Sequence, residues 1–149
     1  MKKLIVTFIV FAGLFIINTD LHAQVINVPS KAQKDFNQRY PEAKNAVWSN
    51  NVANYTAKFD IGENNYKAFY TMNGKWDYTE QYSDITKFPE AVQTSYKNSR
   101  IADWTYESAT IITNKKGQEL YRIEAKKSIE KIYLFFDKNG KEIKSAPSL

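Results

Sequence analysis

The side chains in this sequence whose spacing could do chemistry are carboxylates. Asp77 lies close to Glu80, and Asp103 to Glu107. Two carboxyls aimed at one substrate are the minimum equipment for cleaving a glycosidic bond. Each of these pairs falls on alternate strand positions or beside a turn, so the reading adopted is that they face water. The stretch Asp137-Lys138-Asn139-Gly140-Lys141 begins like a calcium loop, but it lacks the further acidic ligands and sets two lysines against a cation. It reads as a hairpin turn. The single histidine is His22 and there is no cysteine. Downstream of His22 the chain therefore offers no Ser-His-Asp or Cys-His nucleophile and none of the usual zinc, copper or haem ligand sets. No glycine-rich loop cradles a phosphate, and the five glycines are mostly spent on turns. The expectation is a protein with no catalytic residues, no metal and no cofactor.

The N-terminal residues carry a different signal. Lys2 and Lys3 precede an apolar run from Leu4 to Ile17, and Leu21-His22-Ala23 then supplies small or apolar residues before Gln24. This is the pattern of a secretory signal peptide, cut after Ala23. The alternative is an uncleaved anchor, but a run of about 14 residues is short of the roughly 20 that span a bilayer. The expected product is periplasmic or secreted, with no stable membrane anchor after cleavage. Residues 24–149 suffice for one domain. Without cysteines its hydrophobic core must hold the fold alone. The formal charge of +5 is scattered through turns, which reads as a solvated basic surface. Together with export, this argues against nucleic acid as a partner.

The remaining residues fall into helices and strands. From Pro29 to Arg39, Ala32, Phe36 and Tyr40 recur four apart, which predicts a helix with one apolar stripe that begins at Pro29 and is stopped by Pro41. Val92 and Tyr96 predict a second helix over 89–98. A tryptophan follows each helix, Trp48 and Trp104, and core anchoring is its expected role. Alternating segments come next, such as Tyr55, Ala57 and Phe59 between Thr56, Lys58 and Asp60, the period of a half-buried strand.

At one constant offset and without a gap, Tyr55 aligns with Tyr121, Phe69 with Phe135, and Asn73-Gly74-Lys75 with Asn139-Gly140-Lys141. The second half is longer between Trp104 and Tyr121, where a hairpin turns at Asn114-Lys115-Lys116-Gly117. The fold expected is α+β: a tandem repeat, over about 28–82 and 87–145, of a helix followed by an antiparallel sheet.

Val28-Pro29, Phe36, Tyr40-Pro41, Ala43, Trp48, Tyr55, Ala57, Phe59 and Gly74-Lys75-Trp76 resemble the pattern of the PepSY-like, or β-lactamase-inhibitor-like, exported bacterial proteins. The second half departs from it, with Arg100-Ile101 where Tyr-Pro belongs. The resemblance implies a helix-plus-four-strand unit in tandem, helices on one side of the sheets, a broad face left for a partner, and an inhibitor-like or binding role without enzymatic activity.

Which aromatics reach that face depends on hairpin register, because a slip of one residue exchanges the two faces of a strand. With Asn73-Gly74 as a two-residue turn, Phe69 pairs with Tyr78. With Met72-Asn73-Gly74 as a three-residue loop, Tyr70 pairs with Trp76 and Ala68 with Tyr78. The second choice separates the faces more cleanly, with Tyr66, Ala68, Tyr70, Trp76 and Tyr78 on one side and Lys67, Phe69, Thr71, Lys75, Asp77 and Thr79 on the other. Asp137, a favoured first residue of a type I turn, supports the same loop in the second copy. There the register sends Ile132, Leu134 and Phe136 towards the helices and leaves Tyr133, Phe135, Lys141 and Ile143 opposite. The partner-binding residues expected are Phe69, Tyr133, Phe135, Ile143, Lys67 and Lys141, and the partner an unidentified envelope or secreted protein. Self-association into a homodimer, packing of the two sheets on each other, and binding of a small apolar ligand or glycan to the same face stay open.

Overall fold

The computed structural model describes residues 26–147, with side chains described as far as Ile143. The expected signal peptide and its cut after Ala23 lie outside the described residues. The elements run α1 (Ser30–Arg39), β1 (Lys44–Asn50), β2 (Asn54–Ile61), β3 (Asn64–Thr71), β4 (Trp76–Ser83), one 3₁₀ turn (Ile85–Lys87), α2 (Glu90–Lys97), β5 (Thr105–Asn114), β6 (Glu119–Lys127), β7 (Glu130–Phe136) and β8 (Glu142–Pro147).

Both helices start where a proline allows them to. Pro29 and Pro89 take the position just before the first turn, one residue earlier than their expected first-turn placement. Their carbonyls accept the first helical N–H groups, from Ala32 at 2.8 Å and Gln33 at 3.2 Å, and from Val92 at 2.9 Å and Gln93 at 3.1 Å. Neither proline can cap with its side chain, and a glutamine contributes instead to holding each helix start. Gln33 Nε2 donates to the Val28 carbonyl at 3.0 Å, and Gln93 Nε2 donates to the Phe88 carbonyl at 2.8 Å. Gln93→Ala is therefore expected to cost about 1 kcal/mol, read as a lower denaturant midpoint at unchanged slope.

All eight strands form one antiparallel sheet in chain order, each paired with its sequence neighbours. The two four-stranded sets join edge to edge, β4 to β5, with Tyr78 opposite Asn114 and Ser83 opposite Ala109. This overturns the alternative in which the two sheets pack on each other. The alternation along each strand then makes two faces. On one lie two cores side by side. Val28, Ala32 and Phe36 from α1 and the segment before it meet Tyr55, Ala57, Phe59, Ala68 and Tyr70, while Phe88, Val92 and Tyr96 of the α2 region meet Tyr121, Ile123, Ala125, Leu134 and Phe136. Trp48 packs edge-on against Phe36 at 5.4 Å, and Trp104 packs against the second core. Both tryptophans anchor the core, as their positions after the helices suggest.

The repeated Asn-Gly-Lys turns close three-residue loops, as expected. Thr71 N–H donates to the Lys75 carbonyl and Gly74 N–H to that of Thr71, each at 2.8 Å. The bonds between Asp137, Lys141 and Gly140 are equivalent, each at 3.0 Å. Both glycines are left-handed, at φ +69° and +79°, and each lies against its own helix. A Cβ on Gly74 would stand 3.1 Å from Ala32 N, and one on Gly140 would stand 2.4 Å from Ala91 O.

Beyond the loop, the first hairpin departs from the expected register. Tyr70 does pair with Trp76, but Phe69, not Ala68, pairs with Tyr78, because Asp77 is an extra residue bulged out of β4. The bulge exchanges two side chains. Tyr78 moves to the helix-free face, where it stacks on Phe69 with ring centroids 4.2 Å apart. Thr79 moves to the helix side, where its hydroxyl meets Tyr40 Oη and accepts from Trp76 Nε1 at 2.9 Å. Ile143 is the corresponding extra residue in β8, since Phe136 pairs with Glu142 and Phe135 with Lys144.

Candidate functional site

Both helices cover the same side of the sheet, so the other side is uncovered by any helix among the described residues. Antiparallel pairing sorts its side chains into rows. Tyr82, Thr110, Arg122 and Phe135 form one row across β4–β7, and Lys58, Lys67, Glu80, Ile112 and Leu120 form the next across β2–β6. Thr56, Phe69, Tyr78 and Asn114 make a third.

At the centre, where the two sets meet, Arg122 Nη1 donates to Glu80 Oε1 at 2.7 Å and Nη2 to Thr110 Oγ1 at 3.1 Å. The ion pair is nearly out of water, the two side chains being 19% and 8% exposed. The Arg122 guanidinium also stands 5.2 Å from the centre of the Tyr133 ring. Its Nε is buried with no hydrogen-bond partner among the described residues. This pair lines a groove of about 540 Å³ together with Tyr78, Ile112, Leu120 and Phe135 and the charged side chains Asp77, Lys115 and Lys116.

The expected site residues separate. Tyr133 and Phe135 are half-buried on this face, 6.3 Å apart. Phe69 is on the face but only 8% exposed, covered by the Tyr78 ring and by Lys67, whose Nζ is 4.7 Å from the ring centre. Ile143 is exposed and, like Leu120, lines a second hollow between two hairpin tips. Lys141 is exposed and tied by its backbone into the Asp137 turn. Tyr78, Tyr82 and Arg122 belong to the face and were missed by sequence reasoning. The signal that could have found Tyr78 is its one-residue displacement by the Asp77 bulge, which only the paired strand reveals.

The four carboxylates that could have done chemistry are held by cations. Asp77 pairs with Lys115 at 2.7 Å, Asp103 with Lys127 at 2.8 Å, Glu107 with Lys131 at 3.8 Å, and Glu80 with Arg122. The expectation that Glu80 faces water is corrected, because it is buried at the seam. No group of three His, Cys, Asp or Glu side chains among the described residues could hold a metal ion.

Burial pushes the Tyr78 hydroxyl up from 10.0 to about 12, with the Glu80 charge adding to the shift. The folded state therefore holds this proton more tightly than the unfolded chain. Stability from burying neutral Tyr78 is complete below about pH 10 and is lost as pH rises towards 12. Phe69→Ala uncovers the ring, so its alkaline titration, followed as tyrosinate absorbance, is expected to move back towards the ordinary value. An unchanged titration would contradict the stacked burial.

An antiparallel eight-stranded sheet with two helices on one side defines a BLIP-like fold. Solved structures share it. The chain is similar to a DUF2874-family protein from Bacteroides ovatus, with a TM-score of 0.73, 21% identity, and coverage of 80% of this chain and 86% of that one. It is also similar to a proposed periplasmic protein from Bacteroides eggerthii, with a TM-score of 0.72, 20% identity, and coverage of 80% and 88%. A BLIP-like protein from Bacteroides fragilis matches with a TM-score of 0.70, 20% identity, and coverage of 78% and 84%. At these identities the likeness is one of fold. No protein-family model and no curated protein matches the chain. No helix among the described residues is long and apolar enough to cross a membrane.

Proposed function

We propose that this chain is a non-enzymatic binding module of the cell envelope, a PepSY-like tandem repeat whose uncovered sheet face contacts another protein in the manner of an inhibitor. The carrying observation is that both helices stack on one side. This leaves a face whose centre is an apolar groove beside a buried ion pair, with Tyr82, Tyr133 and Phe135 around it. Aromatic side chains at the middle of a surface supply contact area at little entropic cost, and a polar rim excludes water around them. A neighbour proposed to be periplasmic, together with the signal-peptide pattern of the first residues, supports export to the periplasm or beyond. A small apolar ligand is the second reading, favoured by a groove volume within the range of small-molecule sites.

The test is capture of partners from the organism's own cell envelope by residues 24–149, repeated with Tyr133→Ala and Phe135→Ala. Loss of a stoichiometric partner in the double variant, with the thermal transition retained, is the expected result. The same partner held equally well by both forms would count against the face. Recovery of only the chain's own second copy would make the face a homodimer interface.

A further inference from the structure

The charges on the uncovered face are unevenly spent. Its acidic groups are engaged: Glu80 by Arg122, Asp77 by Lys115, Glu124 by Lys131 at 2.9 Å, and Asp60 by the amides of Asn45 and Asn65 at 2.9 and 2.8 Å. Its lysines are in surplus. Lys58, Lys67, Lys116 and Lys126 make no ion pair among the described residues. Lys67 and Lys58 lie side by side across β2 and β3, in the same row as Glu80, Ile112 and Leu120. Lys116 stands at the groove's edge on the β5–β6 turn. The groove's lining also holds Asp77, Glu80 and Arg122, whose charges are spent on Lys115 and on each other, so the cation left over beside its apolar floor is Lys116, with Lys67 and Lys58 beyond Glu80 in the same row.

We infer that the groove over the seam between β4 and β5 takes an acidic segment of a partner protein that carries one aliphatic or aromatic anchor. The anchor side chain rests on Ile112, Leu120 and Phe135 beside the Tyr78 ring. Arg122 spends both Nη groups on Glu80 and Thr110, so pairing with carboxylates falls to Lys116 at the groove and to Lys67 beyond Glu80 in the same row. Rim charges of this kind set encounter rate and partner choice, while the desolvated anchor sets how long the complex lasts. The inference rests on the uncovered face being the contact surface, and it adds the chemistry of what that surface accepts.

The test pans a display library of random linear peptides on residues 24–149, and on two variants, Lys67→Glu/Lys116→Glu and Leu120→Ser/Phe135→Ser, each shown by circular dichroism to be folded. The expected result is enrichment of peptides with several Asp or Glu residues around a Leu, Phe, Tyr or Trp. Their retention should fall with added salt and drop about tenfold or more on either variant. Enriched peptides of neutral or basic composition that still need Leu120 and Phe135 would overturn the acidic-segment inference and leave the contact face standing. Acidic peptides without an anchor, displaced by dextran sulfate, would overturn it in favour of general polyanion binding. Peptides that bind the Leu120→Ser/Phe135→Ser variant as well as the parent would overturn both the inference and the face. No enrichment would overturn the inference.

Discussion

Gly140→Ala is expected to destabilise the fold by about 3 kcal/mol or more, lowering Tm by roughly 10 °C. Two costs add. At φ +79° an alanine is held in the left-handed region, which costs about 1–2 kcal/mol. Its Cβ would also stand 2.4 Å from Ala91 O, 2.6 Å from Ser95 Oγ and 2.8 Å from Ala91 C. Ser95 can rotate, but the helix backbone cannot move without lifting the hairpin tip from α2. The matched position is milder. At Gly74 the nearest atoms are 3.1–3.3 Å away, so Gly74→Ala is expected to lose about 2 kcal/mol, mostly from strain. Gly117 has a similar φ of +71° and nothing within 4 Å, and should lose least. Denaturant midpoints in the order Gly140, Gly74, Gly117, from most to least destabilised, would establish that the repeated turn serves to seat a hairpin on a helix. Equal losses at all three would show that only the backbone conformation matters.

Arg122→Met is expected to cost about 3 kcal/mol or more, because it leaves the Glu80 carboxylate buried without its cation and frees Thr110 from its donor. The double change Glu80→Leu/Arg122→Met should recover most of that loss, since a buried ion pair replaced by apolar side chains is often neutral or better. Strong coupling between the two substitutions, measured as a double-mutant cycle in urea, is therefore the expected signature. A loss well under 1 kcal/mol in the single variant would mean that Lys67, next to Glu80 on β3, had taken over the carboxylate. The pair would then be replaceable in the floor of the groove.

The parts of this structure visible in the sequence are those written by local chemistry. A proline followed by apolar residues four apart gave each helix to within a residue or two, and the clean separation of faces, with Asp137, picked three-residue loops over two-residue Asn-Gly turns. The side of the sheet taken by Tyr133 and Phe135 followed from that loop alone. Tyr78 and Thr79 exchanged places because Asp77 bulges, and a bulge is a property of two strands together rather than of either sequence. The seam was hidden for a related reason. At the constant offset that aligns the halves, Arg122 corresponds to Thr56 and Glu80 to Ala146, so their ion pair joins positions that are not equivalents. Nothing in either half asks for it. It exists because β4 lies against β5 and leaves only that strand between Glu80 and Arg122. The centre of the candidate site is thus a product of joining the two sets edge to edge.

The most direct measurement is lysine footprinting of the chain bound to its envelope partner, by brief acetylation and mass spectrometry. Lys67, Lys116 and Lys126 lie on or at the edge of the uncovered face, while Lys31, Lys34, Lys87 and Lys97 belong to the exposed surface of the helix side. Protection of Lys67 and Lys116 in the complex, with the helix-side lysines labelled as in the free protein, is the outcome that a contact through the open sheet face requires. Protection of the helix-side lysines with Lys67 and Lys116 still fully reactive would place the partner on the opposite side and contradict it.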